Sequence, residues 1–386
     1  MSVASNATTV RDANRAAVLE RIRLRAPVTR AEIARDTGLT PAAVSNIVGG
    51  LIAEGWVVET GRRPLERGQP PVELDLAASA VYSVGLHLDR DLISAVLVDL
   101  KGSVVHSVGQ EIAPPDPEEA LELLRTNYGR LLAGSNVSED KILGAGVVTV
   151  GPLDLERGTV RGPPNFPGWH DVPLRDLLAG ALGLPVILEN NATAAAIGEH
   201  WYGAGRHHSN FLYVYIGLGV GGGLFFNNRV YRGSGLNAGE FGHLPLRLQE
   251  GTVPLESRTS ILALRRELGE GQAQPEAIAA GLARRDPALV AWFERAAGYL
   301  AEAVAGVDNL LDLDAIVFGG RHSREVLEYL VARVADLTAP LRMPNRPSYA
   351  MIKAGRAGDD TAALGAAALP LYDAFAALPQ AVAPGR

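Results

Sequence analysis

The stretch RAEIARDTGLTPAAVSNIVGGL, residues 30–51, has the pattern of two short helices around a tight turn. Two helices that cross at a steep angle need a small side chain where they approach, and Ala34 supplies it. The turn needs a residue that accepts a positive φ, and Gly38 does so without steric cost. Thr40 before Pro41 is typical of a helix N-cap followed by proline at the first helical position. The stretch therefore predicts a helix-turn-helix.

The second helix of this pair is predicted to turn a polar face outward. Val44 is expected to fill the angle between the helices, together with Ile33 and Ile47. An outward helix face of this kind meets base edges in the major groove of DNA. The alternative is an ordinary helical hairpin. The candidate base-contacting residues are Thr40, Ala42, Ser45 and Asn46.

Two stretches of alternating residues, 56–60 and 72–76, flank a segment rich in Arg, Pro and Gly at residues 61–71. This pattern is typical of a hairpin wing, so it favours a winged helix-turn-helix. Proline keeps such a segment extended, and extended arginines can enter a narrow minor groove. Arg62 and Arg63 are therefore candidates for contacts with the DNA backbone or minor groove. The alternative is a solvated linker whose arginines only keep it soluble.

The composition excludes several kinds of site. The 386 residues include no cysteine, so disulfides, thiolate nucleophiles and cysteine-built zinc sites are excluded. The net charge is −7, but residues 1–63 contain nine arginines and six acidic residues, so this head carries +3 and the remaining body −10. That balance fits a small DNA-binding module joined to a domain that does not touch DNA. Without a membrane-length apolar stretch or a signal-peptide pattern, we expect a cytoplasmic protein with no membrane partner.

From residue 81 onward, predicted strands alternate with predicted helices. Residues 81–88, 92–99 and 104–111 predict a run of three antiparallel strands. Further strands and helices follow to a closing alanine-rich helix that begins at Thr361. The pattern predicts an α/β fold with two lobes, each a mixed sheet backed by helices, and a cleft between the lobes.

Six short segments follow one another in this body. They are VGLHLDRDLISAVLVDLKG (84–102), NFPGW (165–169), LENNATAAAIGE (188–199), GLGVGGG (217–223), GEFGH (239–243) and VFGG (317–320). In this order they resemble the ROK family, which groups bacterial sugar kinases with sugar-responsive repressors. The resemblance implies that a winged helix-turn-helix domain, residues 1–76, precedes a two-lobed actin-like or ribonuclease H-like ATPase domain of the sugar kinase type, residues 77–386. Lobe 1 would comprise about 77–190 plus the C-terminal helix, and lobe 2 about 191–355.

Departures from the kinase pattern argue against catalysis. Kinase members have an Asp near the start of the first segment, followed by Gly-Gly-Thr, where this chain has His87 and DRD at 89–91. We expect the two acids to repel an ATP polyphosphate. The kinase base is an Asp directly after an Asn, whereas here Asn191 follows Asn190. Because an amide cannot take a proton from a sugar hydroxyl at neutral pH, we predict no catalytic residue and no cofactor.

The family's sugar contacts correspond to amides, carboxylates and a histidine in this chain. Such groups offer donors and acceptors in fixed directions, which suits a polyol. Each residue taken alone could equally be a satisfied loop or cap residue, and Trp169 could be a packing residue of its loop. The predicted sugar-binding residues are Asn165, Asn190, Asn191, Glu240, His243 and Glu256.

Two further segments are predicted to be structural. The family often carries cysteines shortly after the GEFGH histidine, but residues 244–260 contain none, so we expect no metal and a loop held by packing. The glycines of residues 217–223 are expected mainly to let a hairpin turn tightly beside a helix. The pair at His207 and His208 is expected to lie in a surface loop.

These features favour a sugar-responsive transcriptional regulator. It would repress genes of carbohydrate uptake or catabolism at a double-stranded DNA operator, as a dimer or tetramer, until a sugar or sugar phosphate releases it. One alternative is an active ATP-dependent sugar kinase with an appended DNA-binding head. Another is a regulator without a small ligand, controlled by a protein partner. The sign of regulation stays open at this point, because a fold does not determine it.

Overall fold

The computed structural model describes residues 3–64, 69–357 and 360–376 of the chain. The tip of the predicted wing, residues 65–68, lies outside the described residues, as do residues 1–2, 358–359 and 377–386. Among the described helices, none combines the length and apolar character needed to cross a membrane.

The N-terminal head is a winged helix-turn-helix. A capping box starts its second helix, because the Thr29 side chain accepts from the Glu32 backbone N–H and Glu32 accepts from the Thr29 backbone N–H. Gly38 ends that helix with a φ of 70°, as its position predicted. The three strands are ordered β1-β3-β2, and β1 was not predicted. The elements are α1 (Val3–Arg25), β1 (Val28–Thr29), α2 (Arg30–Thr37), α3 (Pro41–Ala53), β2 (Val57–Arg62) and β3 (Val72–Leu76).

Lobe 1 contains a five-stranded mixed sheet. Two of its strands are almost entirely buried, which explains their nearly continuous apolar sequence. The elements are β4 (Tyr82–Leu88), β5 (Leu92–Asp99), β6 (Val104–Glu111), α4 (Pro117–Ser135), β7 (Ile142–Thr149), β8 (Leu153–Asp154), β9 (Thr159–Val160), α5 (Leu174–Leu182) and β10 (Val186–Asn190). The strand order of the large sheet is β10-β7-β4-β5-β6, with β7 parallel to both of its neighbours.

Lobe 2 repeats the architecture with a second five-stranded sheet. Its elements are α6 (Asn191–Tyr202), β11 (Phe211–Ile216), β12 (Val220–Phe226), β13 (Arg229–Tyr231), β14 (Pro245–Leu248), β15 (Gly251–Pro254), α7 (Glu256–Thr259), α8 (Ile261–Leu268), α9 (Pro275–Ala283), α10 (Pro287–Leu311), β16 (Ala315–Gly320), α11 (Arg324–Thr338) and β17 (Met351–Ala354). The sheet order is β13-β12-β11-β16-β17. The closing helix is α12 (Thr361–Ala376).

Helix α12 lies on the lobe 1 sheet and also packs against α6. Glycines make both contacts close. A Cβ at Gly85 or Gly146 would lie 2.0 Å from a backbone oxygen of α12, and one at Gly365 would lie 1.8 Å from the Ala194 oxygen. These close contacts leave no room for a side chain, so α12 packs directly against both α6 and the lobe 1 sheet.

Candidate ligand cleft and DNA-binding surface

A cavity of about 220 Å³ opens in the cleft between the lobes. It is lined by backbone and side chains from the ends of strands and the starts of helices, which is where open α/β sheets bind ligands. All six predicted sugar-binding residues line this one cavity: Asn165, Asn190, Asn191, Glu240, His243 and Glu256. The structure therefore brings together residues that lie up to 91 positions apart in the sequence.

The two asparagines stand at the N-terminus of α6. Asn190 is the N-cap, and its side-chain oxygen accepts from the Ala192 backbone N–H at 2.9 Å. The Asn191 side-chain oxygen accepts from the same N–H, also at 2.9 Å. Among the described residues, nothing accepts from either side-chain amide nitrogen, so both keep N–H donors for a ligand. The pair can hold a hydroxyl oxygen, but it supplies no proton acceptor of the strength that sugar activation requires.

The carboxylates supply the acceptors of the cleft. Glu256 accepts the Val220 backbone N–H at 3.1 Å, which fixes this carboxylate beside the glycine hairpin. Burial raises the pKa of Glu240, helped by the charge of Glu256 and opposed by His243. The closest side-chain oxygen of Glu240 lies 3.9 Å from the His243 Nε2 atom. Amide donors and carboxylate acceptors around one cavity match the donor and acceptor character of a polyol.

The two acids of the turn between β4 and β5, which we expect to repel an ATP polyphosphate, are both paired with arginines. Asp91 forms ion pairs with Arg265, at 3.1 Å, and with Arg321. Asp89 is buried and accepts from the backbone and side chain of Arg90. Each acid is therefore neutralised by arginine. Because Asp91 lies in lobe 1 and its two partners lie in lobe 2, this segment ties the lobes together.

A second polar cluster lies near the C-terminal end of β4 and joins this strand to the residue before α12. The buried His87 Nδ1 atom lies 3.1 Å from an Asp360 carboxylate oxygen, and the Ser94 hydroxyl donates to the other oxygen. Burial opposes a charge on His87, but the Asp360 and Asp89 carboxylates outweigh it, so the pKa of His87 is raised. Burial is likewise outweighed for Asp360, whose pKa is lowered to about 2 by His87 and Ser94. His87 thus anchors the start of α12 to β4.

Several residues of the matched segments are structural. Trp169 is fully buried, stacks on Phe166 and donates from its indole nitrogen to the Pro115 carbonyl at 2.9 Å, so it is a packing residue. Gly221 and Gly223 of the glycine hairpin face α6, where a Cβ would meet the Ala192 and Ala196 methyl groups at 2.7 and 2.4 Å. The hairpin therefore needs glycine in order to pack beside a helix, as predicted.

The segment after the GEFGH histidine forms a small hairpin, β14 and β15, followed by α7. In the part of the chain that the structure describes, no three His, Cys, Asp or Glu side chains cluster as a metal site would need. The open end of this hairpin is closed by a hydrogen bond from the Leu255 N–H to the Leu244 carbonyl at 2.9 Å.

The head presents its predicted reading face to solvent. The Thr40 hydroxyl caps α3 by accepting from the Ala43 backbone N–H at 3.2 Å, and Val44 is fully buried. Arg62 ends β2 with its side chain exposed, two residues beyond the predicted end of that strand. The predicted base-contacting residues Thr40, Ala42, Ser45 and Asn46 are all exposed.

Arg63 does not fit its predicted role as a DNA contact. Its guanidinium bonds to Glu32 at 2.8 Å, to Glu73 at 2.7 Å and to the Pro27 carbonyl at 3.3 Å. Backbone donation from Thr29, together with Arg63, lowers the pKa of Glu32 to about 2. Because these bonds occupy its donors inside the head, Arg63 fastens the base of the wing to α2.

Sequence reasoning missed one candidate DNA contact and several residues of the cleft. Arg35 is 74% exposed and lines a shallow groove between α2 and α3 that also contains Ser45 and Pro41. Because Arg35 lies on α2 beside the predicted recognition helix α3, it is a candidate for a phosphate contact. Only its position four residues after Ala31 on the outer face of α2 could have signalled it. The additional polar residues that line the cleft include Arg90, Thr193, Tyr215, Asn237, Ser257, Ser260 and Arg266.

The structure thus defines a two-domain protein in which a winged helix-turn-helix is joined to a two-lobed α/β domain with an amide-lined cleft. The family model described as "ROK family" matches residues 83–372, and this chain belongs to that family. A model of the IclR helix-turn-helix domain matches residues 16–61, within the head.

Known proteins from both branches resemble the chain. A xylose repressor of Bacillus subtilis is 32% identical over 239 residues, which are 62% of this chain and 62% of the repressor. A glucokinase of Thermotoga maritima is 29% identical over 309 residues, which are 74% of this chain and 96% of the kinase. The alignment thus spans less than two thirds of the repressor's length. The chain also shares its fold with a crystal structure of a ROK family transcriptional regulator, a homologue of the E. coli MLC protein, at a TM-score of 0.74 and 24% identity, over 95% of this chain and 98% of that one.

Proposed function

We propose that this chain is a sugar-responsive transcriptional repressor whose kinase-like cleft binds its ligand without phosphorylating it. The observation that carries the proposal is Asn191, an amide at the helix start in the cleft, in a chain that also presents an exposed recognition helix. Resemblance to a xylose repressor supports a monosaccharide or its phosphate as the ligand. Loss of a positioned base typically lowers a rate by about 10²- to 10⁴-fold.

The DNA partner is a duplex operator with two half-sites. The exposed face of α3, residues Thr40, Ala42, Ser45 and Asn46, would read base edges in the major groove. Arg62 and Arg35 are exposed and would contact the DNA backbone or the minor groove, whereas Arg63 holds the wing. A homodimer or tetramer would place two heads on half-sites about 34 Å apart.

The ligand acts by changing the balance between two arrangements of the lobes. A sugar that favours one arrangement by about 1–3 kcal/mol changes operator affinity about 5- to 150-fold. The repressor form would bind the operator without sugar and release it when the cleft is filled. The similarity to a protein described as a xylose repressor supports this direction of the response.

The test uses the purified chain and a duplex selected from random DNA by its binding to that chain. D-xylose, D-glucose and their phosphates are added, and duplex occupancy is measured by anisotropy. We expect one of these compounds to lower occupancy. A selected duplex whose occupancy no member of the panel alters would contradict sugar control and favour a protein partner as the controlling signal.

One observation favours the kinase alternative: the alignment with this chain spans 96% of the Thermotoga maritima glucokinase. It is tested by ADP release with Mg-ATP and the same sugar panel. We expect no release above the background of a sample without sugar. Turnover that disappears in Asn191→Ala would establish the kinase activity instead.

A further inference from the structure

Helix α6 runs from the ligand cleft to the DNA-binding head. Its first residue, Asn191, lines the cleft, and its C-terminal residues Trp201 and Tyr202 lie beside the head. At about 1.5 Å per residue, its 12 residues span about 18 Å. One helix therefore has one end at the ligand and the other at the DNA reader.

The C-terminal end of α6 and the residues that follow it contact the last turn of α1. The Arg23 guanidinium of α1 lies over the Trp201 ring at 4.4 Å and donates to the Trp201 carbonyl at 3.3 Å. Arg206, just after α6, donates to the carbonyls of Arg23 at 2.8 Å and Leu24 at 3.2 Å. The last carbonyls of a helix need such donors from outside. Arg206 therefore completes the end of α1, and the two chain segments move together.

Apolar side chains extend this contact into the head. Trp201 meets Phe375 of α12 edge to face at 5.2 Å, and Phe375 approaches Trp56 of the head at 6.5 Å. The buried residues of the head, α6 and α12 form one continuous hydrophobic cluster. The head therefore packs directly against α6 and α12.

Helix α6 is packed too tightly to bend in response to a ligand. The close contacts of Gly365 with Ala194 and of Gly223 with Ala196 hold it on two sides. At its C-terminal end, the buried Glu199 carboxylate accepts backbone N–H groups from Ala204, Arg356 and Ala357. Packed elements of this kind shift as rigid bodies between discrete arrangements.

We propose that α6 carries the state of the ligand cleft to the head, and that Arg206 and Trp201 are the positioning residues that couple the two. The inference rests on the proposed function, because it needs a ligand in the cleft and an operator on the head. A ligand bonded to Asn190 and Asn191 displaces the start of α6. The displacement reaches α1 through the Arg206 bonds and the stacking of Arg23 on Trp201, so α1 and the recognition helix turn relative to the body.

The test measures coupling separately from binding. Arg206→Ala removes the two bonds to α1 and leaves every residue of the cleft and of the reading face in place. Operator affinity is measured by anisotropy with and without the active member of the D-xylose, D-glucose and phosphate panel, and sugar affinity by calorimetry. The wild type should lose at least about fivefold in operator affinity on sugar binding, and the variant less than about twofold, with unchanged sugar affinity.

Controls separate coupling from folding. Arg324→Ala, an exposed arginine on α11 that pairs only with Glu328 among the described residues, should keep the wild-type response. Arg206→Lys keeps a charged nitrogen donor on a shorter side chain and should restore part of the response. If Arg206→Ala unfolds at a lower temperature than the wild type, Trp201→Phe is used in its place. As a separate measurement, hydrogen exchange of the backbone amides of residues 20–25 in the wild type should change when sugar binds.

A wild-type response that Arg206→Ala retains in full, or sugar binding that leaves exchange at residues 20–25 unaltered, would overturn the proposed coupling while leaving the repressor function intact. If no sugar changes the operator affinity of the wild type, the proposed function is overturned, and the proposed coupling is overturned with it.

Discussion

The proposed repressor function depends most directly on one residue, the amide Asn191 in the cleft. It is buried at the start of α6 and turns its oxygen toward the Ala192 N–H, so its amide N–H groups are the part offered to a ligand. Each hydrogen bond to a ligand contributes about 1 kcal/mol net, and more when a buried partner is left unsatisfied.

We therefore expect Asn191→Ala to weaken sugar binding by about tenfold, because it removes the N–H donors of the Asn191 side chain from the cleft. Calorimetry with the active sugar measures the change, and operator affinity without sugar should stay at the wild-type value. Gln272→Ala, in an exposed turn, is the matched control. Unaltered sugar affinity in Asn191→Ala would remove this residue from the site.

His87 makes the stability of the body depend on pH. Because its pKa is raised in the folded state, its ion pair with Asp360 stabilises fully below the unfolded histidine pKa of about 6.5 and is lost as pH rises through the folded pKa. The low pKa of Asp360, about 2, keeps the carboxylate charged throughout. The destabilisation caused by His87→Gln should therefore be larger at pH 6 than at pH 9. Urea unfolding at both values tests this, and an equal effect at each pH would contradict the ion pair.

The residues of the cleft could be predicted as a set because they lie in ordered motifs, and the structure places all six around one cavity. Arg63 could not be judged in this way. Its partners Glu32 and Glu73 lie 31 and 10 positions away, and no local pattern shows that a wing arginine will turn inward to meet them.

The glycine hairpin is the element whose sequence is most constrained by packing. A Cβ at Gly223 would lie 2.4 Å from the Ala196 methyl and 2.9 Å from the Ala192 oxygen. Overpacking of this kind usually costs about 1–3 kcal/mol. We expect Gly223→Ala to lower the free energy of unfolding by that amount, whereas Gly271→Ala, with no atom within 4 Å of its added Cβ, should change it little. Denaturant unfolding measures the stability of both variants, and equal free energies of unfolding would contradict this packing role.

Most strands and helices could be predicted from apolar periodicity, since long buried strands and capped helices leave strong local patterns. Strand β1 could not, because its two residues pair with β3, more than 40 positions away. The end of β2 was also misjudged, since a register shift between Glu59 and Gly61 lets pairing continue to Arg62.

At the scale of the whole molecule, Asp91 ties lobe 1 to two arginines of lobe 2. All three side chains are about four-fifths buried. Removal of one member of a buried pair leaves uncompensated charge and costs about 3–5 kcal/mol, less where water still reaches the pair. We expect Asp91→Ala to lower the free energy of unfolding by about 2–3 kcal/mol.

Glu328→Ala provides the matched control for Asp91→Ala, because it breaks an exposed pair within α11 that is worth at most about 0.5 kcal/mol. Chemical denaturation of the full chain measures both variants. If Asp91→Ala proves no more damaging than Glu328→Ala, the ion pairs between the lobes contribute nothing to stability.

The two-lobed body could be predicted from the order of its motifs, but the attachment of the head could not. It depends on Arg23, Trp201 and Arg206, which lie far apart in sequence and carry no motif. Contacts between a head and a body are set by surface fit, which hydrophobic periodicity does not describe. The course of α6 from cleft to head became visible only in three dimensions.

The central claim is that sugar binding alone releases DNA, without phosphoryl transfer. The most direct measurement is the anisotropy of a labelled, selected duplex bound to the purified chain while the sugar panel is titrated in the absence of ATP. We expect the anisotropy to fall to the value of the free duplex as one sugar saturates the cleft. A duplex that stays bound at every sugar concentration, or is released only when Mg-ATP is added, would contradict it.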